Sequence, residues 1–123
     1  VADGSDKFSV TAPVEPEKQG GSYRFQPDGQ LVTINKGRIN WFGRDENWSD
    51  TIGFRGEKDI ERPMGEWNKL ECVANGKEIL VYLNGILVNR AFDVQPAKGR
   101  IQIQSEGAEI FFRNIYLTPL VKE

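Results

Sequence analysis

The side chains best suited to chemistry crowd into one stretch, IQIQSEGAEIFFRNI, residues 101–115. Alternation at period two marks a half-buried strand, so Ile101 and Ile103 point one way while Gln102 and Gln104 point the other. A two-residue turn at Gly107 and Ala108, glycine first, suits type II′ and folds the stretch back on itself. In that register Glu106 faces Glu109 and Gln102 faces Arg113. Ile101, Ile103, Ile110 and Phe112 then share a buried face, and Gln102, Gln104, Glu106, Phe111 and Arg113 share the other. Such a face suits a sugar, whose hydroxyls need donors and acceptors in a plane and whose CH groups need a ring to rest on. The alternative is a solvated outer face with an incidental Gln–Arg contact. Like charges directly opposite are unfavourable, so Glu106 and Glu109 would need a cation, Arg113, or room to splay into water.

Composition limits the chemistry this face can join. The chain has 123 residues, one domain's worth, with 16 basic and 18 acidic side chains and no long run of either sign. Nothing tracks a phosphate backbone, so nucleic acid is not an expected partner. The absence of histidine rules out Cys–His and Ser–His nucleophilic pairs and any imidazole-based zinc site. The lone Cys72 cannot form an internal disulfide, and in the alternating run LECVA it reads as a small core filler rather than a nucleophile. Ordinary glycoside hydrolysis needs two carboxyl groups, about 5 Å apart for retention or about 6.5–9.5 Å for inversion. No suitable pair stands out: Glu66 and Glu71 are too far apart in register, and Glu57, Asp59 and Glu61 read as a solvated edge. No apolar run approaches the roughly 18 residues of a membrane span, and no signal segment follows Val1, so the chain reads as soluble, mature or trimmed.

The elements that must position these residues are strands. Turn residues recur every eight to twelve positions or so, and Val, Ile, Phe, Tyr and Trp fill the segments between, the pattern of an all-β sandwich or barrel. Residues 1–22, with one strand-like piece, FSVTA, read as an irregular lead-in to a domain over 23–123. Asn84 and Gly85 stand between ILVYL and ILVNR, and both central positions of a type I′ turn need positive φ. A weaker turn at Ala74–Lys77 extends that hairpin into a three-stranded meander. Strands are expected at Lys69–Val73, Glu78–Leu83, Ile86–Arg90, Arg100–Ser105 and Ile110–Leu117, with Trp67 as an aromatic lid on the core.

Four elements carry a resemblance: Gly65-Glu66-Trp67-Asn68, the Asn84-Gly85 hairpin, Gly99 through Gln104, and Gly107 through Ile115 with its Phe-Arg-Asn-Ile ending. Over residues 62–120 the chain resembles the C-terminal half of the 3-keto-disaccharide hydrolase domain family. That resemblance implies an antiparallel β-sandwich of concanavalin-like jelly-roll type, a glycoside or oligosaccharide ligand, and an extracellular or periplasmic location. Many members carry His at the position of Glu106, so no imidazole role is carried over. The family has further strands before its Gly-Glu-Trp-Asn motif, and only a shortened version fits the first 60 residues here. An incomplete sandwich, finished by a second chain or a second copy, is therefore also expected.

A 3-keto sugar opens an easier route than ordinary hydrolysis. The ketone acidifies the neighbouring C2 hydrogen, so one base and one oxyanion stabiliser suffice to expel the glycosidic oxygen. Glu106 is the expected base and Arg113 the expected stabiliser, with Gln102, Gln104, Trp48 and Phe111 contacting substrate. No cofactor is required, although a divalent cation with oxygen ligands could replace or assist the arginine. Two other classes stay open: a non-catalytic, lectin-like binding module, and a structural half-domain. The loop RDENWSD places Asp45, Asn47 and Ser49 at positions one, three and five of a calcium loop, but it lacks Gly at six and Glu at twelve. Trp41, in RINWFG, reads as core or as a ring for a sugar. Trp48, in a polar loop, is the better contact.

Overall fold

A computed structural model of the chain describes residues 2–17, 21–49 and 51–121. Among the described residues there are nine strands: β1 Ala2–Asp3, β2 Ser9–Pro16, β3 Tyr23–Phe25, β4 Gln30–Ile34, β5 Lys36–Gly37, β6 Ile39–Asn40, β7 Leu70–Asn75, β8 Glu78–Leu83 and β9 Ile86–Gln95. No described residue is helical, and the fold is all-β, consistent with a β-sandwich. The larger sheet runs β6-β3-β2-β9-β8-β7 with β4 also on β2, and β1 pairs with β5 separately. Every pair is antiparallel except β3–β6.

The segment expected as an irregular lead-in holds the strand around which the larger sheet is organised. β2 pairs with β4 over Val10–Val14, with β9 at Ser9 and Thr11, and with β3 over Val14–Pro16. Pro13, which has no N–H to give a ladder, falls between the last β9 pair at Thr11 and the first β3 pair at Val14. A proline is therefore tolerated in a central strand where the neighbour changes. The core is built on the same strand: Ala12, Val14, Phe25, Leu83 and Val88 are buried. Gly29 follows from this packing, since a Cβ there would stand 2.5 Å from the Val14 carbonyl oxygen. Cross-strand partners Glu15 and Arg24 form an ion pair at 2.6 Å, and Thr11 and Thr33 share a hydroxyl hydrogen bond at 2.6 Å.

The expected meander is present. Asn84 and Gly85 turn β8 into β9 with φ of 52° and 82°, and β7 pairs with β8 from Leu70↔Leu83 to Asn75↔Glu78. Cys72 is not core: it lies exposed on β7, the end strand of the sheet order, although partial burial pushes its thiol pKa up and so disfavours the reactive thiolate. The two last expected strands are not formed. Residues 99–121 enter no ladder, and the Gly107 turn, at φ 74°, does not bring 101–105 against 110–117. The face expected to be buried is open, with Ile101 75% exposed and Ile103, Ile110 and Phe112 about half exposed. Alternation sets which side chains share a face, but a strand also needs a neighbouring backbone about 4.8 Å away, and local sequence does not name that neighbour.

Candidate functional site

The chain leaving β6 builds one wall of a cleft of about 520 Å³. The Phe42 N–H donates to the Val88 carbonyl at 2.8 Å and the Asn89 side chain donates to the Ile39 carbonyl at 3.1 Å, so Trp41 and Phe42 are pinned to β9. Gly43 lies against the Ile60 side chain, where a Cβ would collide, and its carbonyl accepts the Ile60 N–H at 3.0 Å. That contact brings the two ends of the intervening segment, Arg44 and Asp59, close together.

Two aspartates hold the loop together. Asp59 accepts the Asp45 and Gly56 N–H groups, both at 2.7 Å. Asp45 in turn accepts from Asn47 at 2.9 Å and from Lys58 at 3.3 Å, and these backbone hydrogen bonds hold its carboxyl below the ordinary carboxylate range. The calcium-loop pattern thus corresponds to an Asx turn whose Asp45 oxygens are taken by backbone N–H groups. Asp50, at the loop's sixth position, lies outside the described residues. Among the described residues no three Cys, Asp or Glu side chains gather as a metal-binding group.

The Trp48 N–H donates to the Asp45 carbonyl at 3.0 Å, which places the indole at the cleft. The Arg44 guanidinium stacks on Trp48, 4.3 Å from the ring centre, and lies 5.5 Å from that of Trp41. Burial lowers the Arg44 pKa, against the opposing pull of Glu17 and Glu61, and an arginine stays charged even so. Trp48 is 43% exposed, leaving indole surface for a ligand. Trp41 is half-buried, and its Nε1–H, fully buried, has no hydrogen-bond partner among the described residues.

The opposite wall comes from residues 60–69. The Asn68 Oδ1 accepts from the Arg62 N–H and from the Asn84 side chain, both at 2.8 Å, and Asn84 also donates to the Ile60 carbonyl at 3.1 Å and accepts from the Lys69 N–H at 2.9 Å. The hairpin turn therefore latches the wall in place. Glu61, Glu66 and Asn68 line the cleft from this segment, and Asp59 from the loop before it.

The residues singled out from the sequence divide between two places. Trp48 is in the cleft. Gln102, Gln104 and Glu106 do share a row: Gln102 donates to Gln104 at 2.9 Å and Gln104 donates to Glu106 at 3.1 Å. Phe111 is 71% exposed. Arg113 stacks on Trp67, 4.0 Å from its ring centre, rather than facing Gln102, so Trp67 is a half-exposed platform and not a lid on the core. Sequence reasoning missed the Arg44–Trp41–Trp48 stack and the Asn84 latch. The D-x-N spacing at 45–47 was the one available signal for the loop; nothing local pairs Asn84 with Asn68.

A model of the 3-keto-alpha-glucoside-1,2-lyase-like domain matches residues 4–118. The chain belongs to that family. The match reaches back through β2 and so takes in far more than the C-terminal half. No curated protein and no solved structure matches the chain. Membership makes this a carbohydrate-related domain, and the family description names a lyase rather than a hydrolase. In this 3-keto-alpha-glucoside-1,2-lyase-like domain the Gly-Glu-Trp-Asn motif serves two sides: Glu66 and Asn68 line the cleft while Trp67 carries Arg113.

Proposed function

We propose that this domain binds a 3-keto-glycoside in the Trp41–Trp48 cleft and cleaves it by elimination across C1 and C2. A base removes the C2 proton, the electron pair of that bond forms the C1–C2 double bond, and the C1–O bond breaks as the departing oxygen takes up a proton. Water adding to the double bond afterwards would give the net hydrolysis expected from the sequence. The observation that supports this reading is the cleft itself: an exposed indole and several carboxylates in one lining, in a carbohydrate-related family. Trp48 offers the ring face, and Glu66, on the motif and in the lining, is the better-placed base.

The hydrogen-bonded row ending at Glu106 favours a second assignment, with Glu106 as base, Arg113 as stabiliser, and Gln102, Gln104 and Phe111 contacting substrate. A divalent cation on oxygen ligands could assist in either arrangement. The reading fits an extracellular or periplasmic protein acting on a free glycoside. The exposed apolar side of 101–112 favours a further role for a second chain or second copy in completing the sandwich.

The deciding experiment is turnover of a 3-keto-glucoside by the protein and by Glu66→Gln, Glu106→Gln and Arg113→Ala, with affinity measured alongside. Loss of kcat in Glu66→Gln at nearly unchanged affinity supports the cleft base. The same loss in Glu106→Gln moves the base to the C-terminal row. Binding without turnover in the unmodified protein refutes catalysis and leaves a lectin-like module.

A further inference from the structure

One face of the larger sheet is open. Ala74, Ile79 and Ala91 sit abreast on β7, β8 and β9, Val10 and Ile34 sit abreast on β2 and β4, and with Val81 they line a trough of about 500 Å³. An apolar sheet face ordinarily packs against a second layer. Every charged side chain among the described lining residues is a cation: Arg38, Arg90, Lys98 and Arg100. Arg90 is paired with Glu78, and the other three enter no salt bridge among the described residues. The segment 106–112 has the complementary make-up. Glu106 and Glu109, likewise in no salt bridge among the described residues, precede Ile110, Phe111 and Phe112, which are 48%, 71% and 52% exposed.

We propose, resting on the second-copy role named above and on no part of the glycoside chemistry, that the trough receives residues 106–112 of a second copy of this chain and that the two copies exchange these segments reciprocally. The chain's own segment is held elsewhere. Ile101 stands at the trough, which also takes in Ala74 and Gly76 at the end of β7, whereas Arg113 is stacked on Trp67, ahead of that strand's start at Leu70. Between those two points Ile110, Phe111 and Phe112 are not part of the trough lining. In a partner's trough the three side chains cover the apolar floor, and Glu106 and Glu109 meet the cations around it. A large aromatic buries about 150–250 Å² in full, so these partly exposed residues offer roughly 100 Å² apiece. Covering them on both copies, with a matching area of both troughs, removes about 1,200 Å² from water, the lower end of what a specific interface needs. Reciprocal exchange closes as a two-fold dimer and leaves no surface for further copies to add to.

The test is sedimentation velocity on the whole chain and on two charge-reversed variants, Glu109→Lys in the exchanged segment and Lys98→Glu with Arg100→Glu in the trough. The unmodified protein is expected to sediment as a dimer at micromolar concentration. Each variant alone brings like charges together, so its dimer dissociation constant should rise about tenfold or more. Mixed in equal amounts, the two should dimerise as the unmodified protein does, because the reversed segment then meets the reversed trough and the two native surfaces meet each other. Where a variant fails to fold, a salt series on the unmodified protein reads the same contact: the dissociation constant should rise as the charges are screened. A monomeric unmodified protein overturns the exchange, and so does a dimer that neither charge reversal nor salt weakens. Folded variants that stay monomeric on mixing overturn it as well. Turnover of a 3-keto-glucoside is measured on the same samples, and its absence from an intact dimer removes the glycoside reading while leaving the exchange standing.

Discussion

Replacing Asn84 by glycine separates its two roles. Glycine accepts the φ of 52° at this position without steric cost, so the type I′ turn is kept. What is lost is the side chain's acceptor bond from the Lys69 N–H and its donor bonds to the Ile60 carbonyl and Asn68 Oδ1. A typical hydrogen bond contributes a net ~0.5–1.5 kcal/mol, and two of these three are exposed, so the low end applies and the total is about 2 kcal/mol. For a domain of this length that is a fall in Tm of about 8 °C. The assay is urea unfolding, in which the midpoint should drop while the slope stays constant. An Asn68→Ala cycle isolates the direct contact, which should couple to Asn84→Gly by about 0.5–1 kcal/mol. A stability change within ~0.3 kcal/mol, or no coupling, would refute the idea that the turn holds the cleft wall.

Gly85→Val should destabilise by about 1–3 kcal/mol by urea unfolding, because a β-branched residue is forced to φ 82°. The space around Gly85 is open, so strain alone is responsible, and an unchanged midpoint would dismiss it. Gly29→Ala should cost about 2 kcal/mol or more, since the new Cβ meets the backbone of β2 rather than a yielding side chain; a Tm equal to that of the unmodified protein would show that the Gln26–Gly29 turn can move away. Asp45 has a depressed folded pKa, so its contribution is present above the unfolded value of about 3.9 and is lost as pH falls through the lower folded value. Acid should therefore loosen the 44–59 loop, followed as a shift in Trp48 emission against a Trp48→Phe control; Asp45→Asn should remove part of that pH dependence.

Much of this protein is written in short-range sequence. Asn84-Gly85 dictates its turn because few other pairs tolerate two successive positive φ angles. The strands on either side follow from β-branched and aromatic runs, and the absence of histidine excludes whole classes of chemistry before any coordinate is known. Even the Gln102–Gln104–Glu106 row is legible, since period-two alternation puts i, i+2 and i+4 side by side. The misreadings lie where a residue's meaning depends on distant chain. β2 looked irregular because Pro13, Glu15 and Pro16 weaken its pattern, yet three neighbours claim it at different points along its length. Ile101 and Phe112 looked buried because alternation specifies a face but not the sheet that would cover it. The cleft is the clearest case: Arg44 meets Trp48 only because Asp45 and Asp59 fold their loop back, and Glu66 joins the same lining on a segment that Asn84, from a separate hairpin, holds through Asn68. Local sequence determines backbone conformation and chemical inventory through sterics and side-chain type. Which groups converge is decided by long-range contacts, where each hydrogen bond joins residues that have no proximity until the chain has folded.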